Sequence, residues 1–242
     1  MTDRKDHRFS EGRGFGDAYE GFDIDPPELQ IDPDKVDPVD SHVLTDLLDE
    51  RTVENDQVDV QQLVDVGLSY VQINRFEQAV DAFQRAAQFA DDPTDEQEAW
   101  ANKGVAHAEL EEWDEAISAY REAIHVDPEG EHAGTAHTNL AYALYEAGYD
   151  EQAFEHAERA VELDSRLPQA WYNRGFMLME RGLAEDALNS LDNAIRLGFQ
   201  TADVLEEKAR VLEELDREDE AEEVAERADE LRQRAEEQLV NE

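Results

Sequence analysis

The sequence predicts an all-α fold, a solenoid of about five helix-turn-helix repeats, and three observations predict it. Alanines recur at Ala79, Ala116, Ala153, Ala187 and Ala221, at intervals of 37, 37, 34 and 34 residues. A second alanine series, Ala86, Ala123, Ala160, Ala194 and Ala228, keeps the same intervals. A third series holds a small residue throughout, at Gly67, Gly104, Ala141, Gly175 and Ala209. Small residues at fixed places mean that two helices approach closely there, ridge into groove.

Taken in order, the chain begins with a segment that does not repeat. Residues 1–40 read as an acidic, extended or disordered segment, and Pro26, Pro27, Pro33 and Pro38 among many aspartates make 24–40 extended or disordered. Phe9, Phe15, Tyr19 and Phe22 lie in it among glycines and acids. They belong either to a mobile tail or to an aromatic strip that docks on a partner or in the protein's own groove. Residues 41–59 read as a short capping helix and linker, started by Asp40 or Ser41, with Val43, Leu44, Leu47 and Leu48 as its apolar side.

The repeats follow at 60–93, 97–130, 134–167, 168–201 and 202–235, with 236–242 as a tail. Leu63, Trp100, His137, Trp171 and Leu205 lie four residues before the small position. Tyr70, His107, Leu144, Leu178 and Leu212 lie three after it, and Phe83, Tyr120, Ala157, Leu191 and Ala225 lie four after the first alanine series. Spacings of three and four put these on one helical face, so each unit reads as helix A, a short turn and helix B. The turns fall at Ile73-Asn74-Arg75, Leu110-Glu111-Glu112, Ala147-Gly148-Tyr149, Arg181-Gly182-Leu183 and Leu215-Asp216-Arg217. Pro93 and Pro128 help to end units, and Pro168 suits a first helical turn. The extra residues of the longer intervals fall in Asp91–Gln97 and Glu129–Gly134, between repeats, where added length costs little. In the last unit Glu222 and Asp229 replace the apolar residues that follow the two alanines elsewhere. A polar face there caps the array.

These residues resemble the tetratricopeptide repeat. Trp171-Tyr172-Asn173-Arg174-Gly175 and Trp100-Ala101-Asn102-Lys103-Gly104 match the start of that motif, and Glu115-Ala116-Ile117 with Ala123-Ile124 and Asp127-Pro128 match its second half. Unit three departs from it with His137 in the tryptophan slot and Ala157 in the aromatic slot. Unit five lacks the tryptophan, the glycine and the closing proline. The resemblance implies a right-handed α-solenoid and a protein-binding adaptor or scaffold. Some members of the family clamp a terminal carboxylate with cations on their A helices. Here the corresponding positions in units one and three are Val64, Thr135 and Asn139, so an acidic tail is not the expected ligand. Lys103 and Arg174 face elsewhere by register and are expected to pair locally with carboxylates.

Composition narrows the function. The net charge is −42, from 63 Asp and Glu against 21 Lys and Arg, and only four lysines occur. Nucleic acid and anionic membrane would be repelled, so neither is an expected partner. The first 59 residues carry 18 acids against 6 bases, a density close to that of the rest, so the acid is not one tail. Such a surface is screened in molar salt, where the Debye length is roughly 3 Å. The composition resembles that of haloarchaeal tetratricopeptide proteins; the rival reading is an acidic binder of cationic proteins. No apolar run approaches a membrane span, and MTDRKDHRFSEGRG has no apolar signal core, so a cytoplasmic location is expected. With no cysteine there is no disulfide, thiol nucleophile or thiolate zinc site. No catalytic residue, cofactor site or metal site is predicted: His132 and His137 are badly spaced for one helix face, His107 and His137 fall in core slots, and no phosphate loop or nucleophile elbow occurs. An enzyme is not expected.

What remains is a gripping surface. Asn102, Asn139 and Asn173 occupy the same place in three consecutive A helices. An amide offers both a donor and an acceptor, so a row of them suits an extended peptide backbone. Tyr142, Tyr172 and Phe176 should reach the same concave surface and add apolar pockets. Asp65 and Glu207 hold the equivalent place in units one and five. The expected partner is a protein or peptide segment. The alternative is a self-assembling subunit whose repeats or N-terminal segment build homo-oligomers.

Overall fold

A computed structural model describes residues 59–241, with side chains to residue 237. The N-terminal segment and the capping helix expected at 41–59 therefore lie almost wholly outside the described residues. The chain divides after Val53, and the described residues fall in the second unit. They hold ten α-helices and no strand: α1 Val60–Gln72, α2 Phe76–Phe89, α3 Pro93–Glu109, α4 Trp113–Val126, α5 Ala133–Glu146, α6 Asp150–Leu163, α7 Pro168–Glu180, α8 Ala184–Arg196, α9 Ala202–Glu214 and α10 Glu218–Asn241. Odd-numbered helices are the A helices of five hairpins and even-numbered ones the B helices.

Local chemistry sets the helix ends. Asp59 accepts a hydrogen bond from Gln62 N at 3.2 Å and starts α1. Asp92 accepts from Thr94 N at 2.8 Å, with Pro93 in the first turn of α3. Thr201 accepts from Val204 N and starts α9. Inside every hairpin one residue takes the left-handed conformation: Asn74, Glu111, Gly148, Gly182 and Asp216, with φ of 56°, 58°, 82°, 72° and 55°. The next residue then donates back across the turn, as Arg75 N does to Tyr70 O at 2.9 Å and Tyr149 N to Leu144 O at 2.8 Å. This is the Schellman closure of a helix C-terminus, and it reverses the chain within three residues.

The hairpins stack through the alanine seams. Ala79, Ala116, Ala153, Ala187, Ala86, Ala123, Ala160 and Ala194 are all fully buried, and Ala221 and Ala228 nearly so. Gly104 lies so close to the Tyr120 ring that an added Cβ would sit 2.5 Å from it. In the third hairpin Ala141 stands in the glycine place and Ala157 in the ring place, both fully buried. The methyl group gained at Ala141 offsets only part of the ring lost at Ala157, yet both places stay fully buried. Gln97, also fully buried, donates from Nε2 to Ala123 O and Asp127 O and accepts from His132 N at 3.1 Å. It ties the second hairpin to the entry of the third.

Each A helix also packs on the A helix of the next hairpin, in the pairs α1–α3, α3–α5, α5–α7 and α7–α9; no B–B pair packs to a comparable extent. Stacking of this kind bends the unit into an α-solenoid with the A helices on the inside. At its end Glu222 and Asp229 are exposed, whereas Ile117 and Leu188 in the place of Glu222 are 4% and 8% exposed and Ala87 in the place of Asp229 is 6% exposed.

Candidate functional site

The six residues singled out above all lie on A helices: Asn102 on α3, Asn139 and Tyr142 on α5, and Tyr172, Asn173 and Phe176 on α7. The three asparagines are half-buried. One has a visible structural duty. Asn173 Nδ2 donates to Thr138 O of α5 at 3.1 Å, so its amide bonds across the seam between two A helices. Thr138 is itself held by its hydroxyl, which donates to Gly134 O at 2.8 Å.

Around these amides runs an aromatic strip. Tyr142 is 48% exposed and meets Trp113 edge-on, with ring centroids 6.0 Å apart. Phe176 meets Tyr145 edge-on at 5.1 Å, and Tyr172 meets Phe199 at 5.6 Å. T-shaped pairs hold rings at fixed angles and leave one face of a ring free. Burial pushes the Tyr142 and Tyr172 hydroxyls above their usual range, and nearby carboxylates (Glu146 and Glu109 at Tyr142, Glu207 and Asp203 at Tyr172) push them further. Both phenols therefore stay neutral and keep their donor hydrogen at physiological pH.

Charge on this wall is mostly negative. Glu109, Glu146, Glu180 and Glu214 stand at the same place near the C-terminal end of four consecutive A helices, and all are exposed. The cations on the A helices mostly turn away. Lys103 Nζ donates to Gln84 of α2 at 2.6 Å, Arg174 bonds Ser190 of α8 at 2.7 Å and lies 3.5 Å from Glu158 of α6, and Lys208 pairs with Asp192 of α8 at 2.7 Å. Arg210 of α9 differs. It pairs with Glu180 at 2.9 Å and Glu207 at 3.1 Å, and its guanidinium carbon lies 5.9 Å from the centre of the Phe176 ring. Burial raises the Glu207 carboxyl above its usual range, Arg210 opposes that, and Glu180 adds to it.

Sequence reasoning missed Tyr145, Glu180 and Arg210. The place of Arg210 is held by Val105, Tyr142 and Phe176 in the preceding hairpins, so no residue type recurs to mark it. It also left the partner of His137 unnamed. His137 Nδ1 lies 2.8 Å from His156 Nδ1, and His107 Nδ1 lies 2.7 Å from Glu112. Among the described residues no group of three or more His, Cys, Asp or Glu is arranged to hold a metal ion, and no helix is long and apolar enough to cross a membrane.

A stack of helical hairpins with a small-residue seam and a polar, aromatic inner wall defines a class of protein, the α-solenoid repeat proteins. Tetratricopeptide repeat family models match residues 98–129, 134–166 and 172–236, together more than half of the chain. The chain belongs to the tetratricopeptide repeat proteins. Solved structures agree on the fold. It resembles MamA from Desulfovibrio magneticus RS-1 (TM-score 0.58, 16% identity, covering 72% of this chain and 95% of that one). It resembles YrrB, described as a TPR protein with an unusual peptide-binding site (TM-score 0.55, 19% identity, 77% and 91% covered). It also resembles BtubC from P. vanneervenii (TM-score 0.64, 15% identity, 79% and 86% covered). No curated protein matches the sequence.

Proposed function

We propose that the protein is a protein-interaction adaptor whose concave face holds an extended segment of another protein. The observation that carries this reading is the inner wall itself. Three consecutive A helices present half-buried amides at Asn102, Asn139 and Asn173, beside an exposed ring at Tyr142 and the half-buried rings of Tyr172 and Phe176. Amides satisfy the N–H and C=O of a guest backbone, and rings accept its apolar side chains. Asn173 keeps its carbonyl oxygen for that purpose, while its Nδ2 already bonds Thr138 O. YrrB, which has a peptide-binding site on the same fold, supports the reading by analogy.

The test is selection of peptides from a random library by the full-length protein in molar KCl, followed by Asn139→Ala and Tyr142→Ala variants. Each substitution should weaken the selected peptides while leaving the helical signal intact. Selected peptides that bind both variants unchanged would remove this surface from consideration.

A second reading is self-assembly. Val66, Leu68 and Ile73 of the first hairpin are 46%, 39% and 60% exposed, and apolar exposure of this kind favours contact between copies. Light scattering of the full-length chain in molar KCl separates the readings, since a monodisperse monomer eliminates self-assembly. The spread of carboxylates over the surface also supports a salt-rich, haloarchaeal-type cytoplasm as the working medium. Thermal stability should then rise with KCl as repulsion is screened.

A further inference from the structure

The inner wall has a charge and a shape that say what kind of segment fits it. Glu109 and Glu146 pair with no lysine or arginine among the described residues; Glu180 and Glu214 continue their row. A cleft of about 500 Å³ opens between the third and fourth hairpins, lined by Tyr145, Glu146, Asp150, Glu151, Glu180 and Arg181. Two of its carboxylates are already paired, Glu151 with Arg181 at 2.7 Å and Glu180 with Arg210 at 2.9 Å, which leaves Glu146 and Asp150 without a lysine or arginine among the described residues. The next junction shows how such a place is filled. There Arg210 lies over the Phe176 ring and between Glu180 and Glu207. One junction earlier Phe176 itself holds the place of Arg210, and the ring in the place of Phe176 is Tyr142, nearly half exposed, with Glu109 and Glu146 near it and neither paired to a lysine or arginine among the described residues. Carboxylates flanking a ring face attract ammonium and guanidinium groups by charge and by the ring quadrupole together.

We propose that the segment held on this face is cationic: an extended polypeptide whose arginine or lysine side chains enter beside Tyr142, between Glu109 and Glu146, and into the cleft beside Tyr145, between the third and fourth hairpins, one per junction. This rests on the adaptor reading and names its partner class. Packed helices lie roughly 8–10 Å apart and an extended chain advances about 3.3 Å per residue. Basic residues at about every third position therefore keep step with the carboxylates. The inner wall repels acidic segments by the same geometry.

The test uses full-length protein in about 0.5 M KCl, where long-range attraction is largely screened. Fluorescence anisotropy is measured with three labelled peptides: an Arg-Ser-Gly repeat and its Gln-Ser-Gly and Glu-Ser-Gly counterparts. The arginine peptide should bind about tenfold tighter than the glutamine one, and the glutamate one should not bind. The pair Glu109→Gln with Glu146→Gln should weaken the arginine peptide by about fivefold. The control pair Glu115→Gln with Glu223→Gln, on B helices, changes the charge equally and should leave it almost unchanged. Equal losses from the two pairs would mean attraction by the whole acidic surface and would overturn the proposal. So would a glutamine peptide that binds as tightly as the arginine one. If Asn139→Ala weakens that glutamine peptide, the adaptor reading stands without the cationic partner.

Discussion

The second and third hairpins solve one packing problem in opposite ways. In the second, Gly104 lets the Tyr120 ring lie against the backbone of α3, and the ring is 2% exposed. In the third, Ala141 and Ala157 share the space and the ring is gone. The tryptophan place differs too: Trp100 in the second hairpin, His137 in the third, where its ring is bonded to His156. The turns differ in the same sense, with Glu111 at φ 58° against Gly148 at φ 82°. What the array keeps is a buried, close-packed seam and the backbone path of the turn. The methyl group gained at Ala141 takes up only part of the space the ring would fill, so the two hairpins reach close packing with different side-chain volumes.

That comparison is broken most severely by Tyr120→Ala. The ring leaves a cavity that Gly104 cannot fill, at a cost of about 3–5 kcal/mol in denaturant unfolding. Gln97→Leu comes next. It strands Ala123 O, Asp127 O and His132 N at the junction of the two hairpins, and should cost about 2–3 kcal/mol. In the third hairpin, Ala157→Phe overfills the seam and should cost about 1–3 kcal/mol. Adding Ala141→Gly should recover part of that loss, and a double-mutant cycle with no coupling would contradict compensation across the seam.

The histidine pair sharpens the contrast through pH. Burial first, then the neighbouring His156 and Arg159, lower His137 to about 4 from 6.5, and burial and Arg121 lower His156 as well. Both rings bind protons more weakly in the folded chain than in the unfolded one. Stability is therefore full above about pH 6.5 and falls as pH drops towards 4. His137→Phe should flatten that part of the slope relative to the parent, read as the difference between two urea titrations at each pH. The smallest effect is at the turn. Glu111→Gly removes a left-handed non-glycine residue and should add about 0.5–1 kcal/mol, while Gly148→Glu should subtract a similar amount.

Much of the fold was legible because its signal repeats. Alanine at fixed intervals exposes the seam, and the five turns show as breaks in the apolar period. The inner wall was half legible. Asn102, Asn139 and Asn173 repeat and could be found, but Val105, Tyr142, Phe176 and Arg210 share one place without sharing any chemistry. Tyr145 gains its meaning only from Phe176, on another helix. Gln97 went unnoticed because Gly134, Pro168 and Ala202 stand in its place elsewhere, and nothing local reveals that its amide reaches three distant backbone groups. His137 and His156 are 19 residues apart on facing helices, so only tertiary packing makes them a pair.

Packing of each hairpin on its sequence neighbours alone has a mechanical consequence. A rotation of a few degrees at one junction costs little, and rotations at successive junctions add along the stack, as coils do in a spring. The width of the inner channel is then a sum of small compliances rather than the setting of a single hinge. Guests of different bulk are met by strain shared over every seam, and stiffening one seam tightens the whole coil by only its own share.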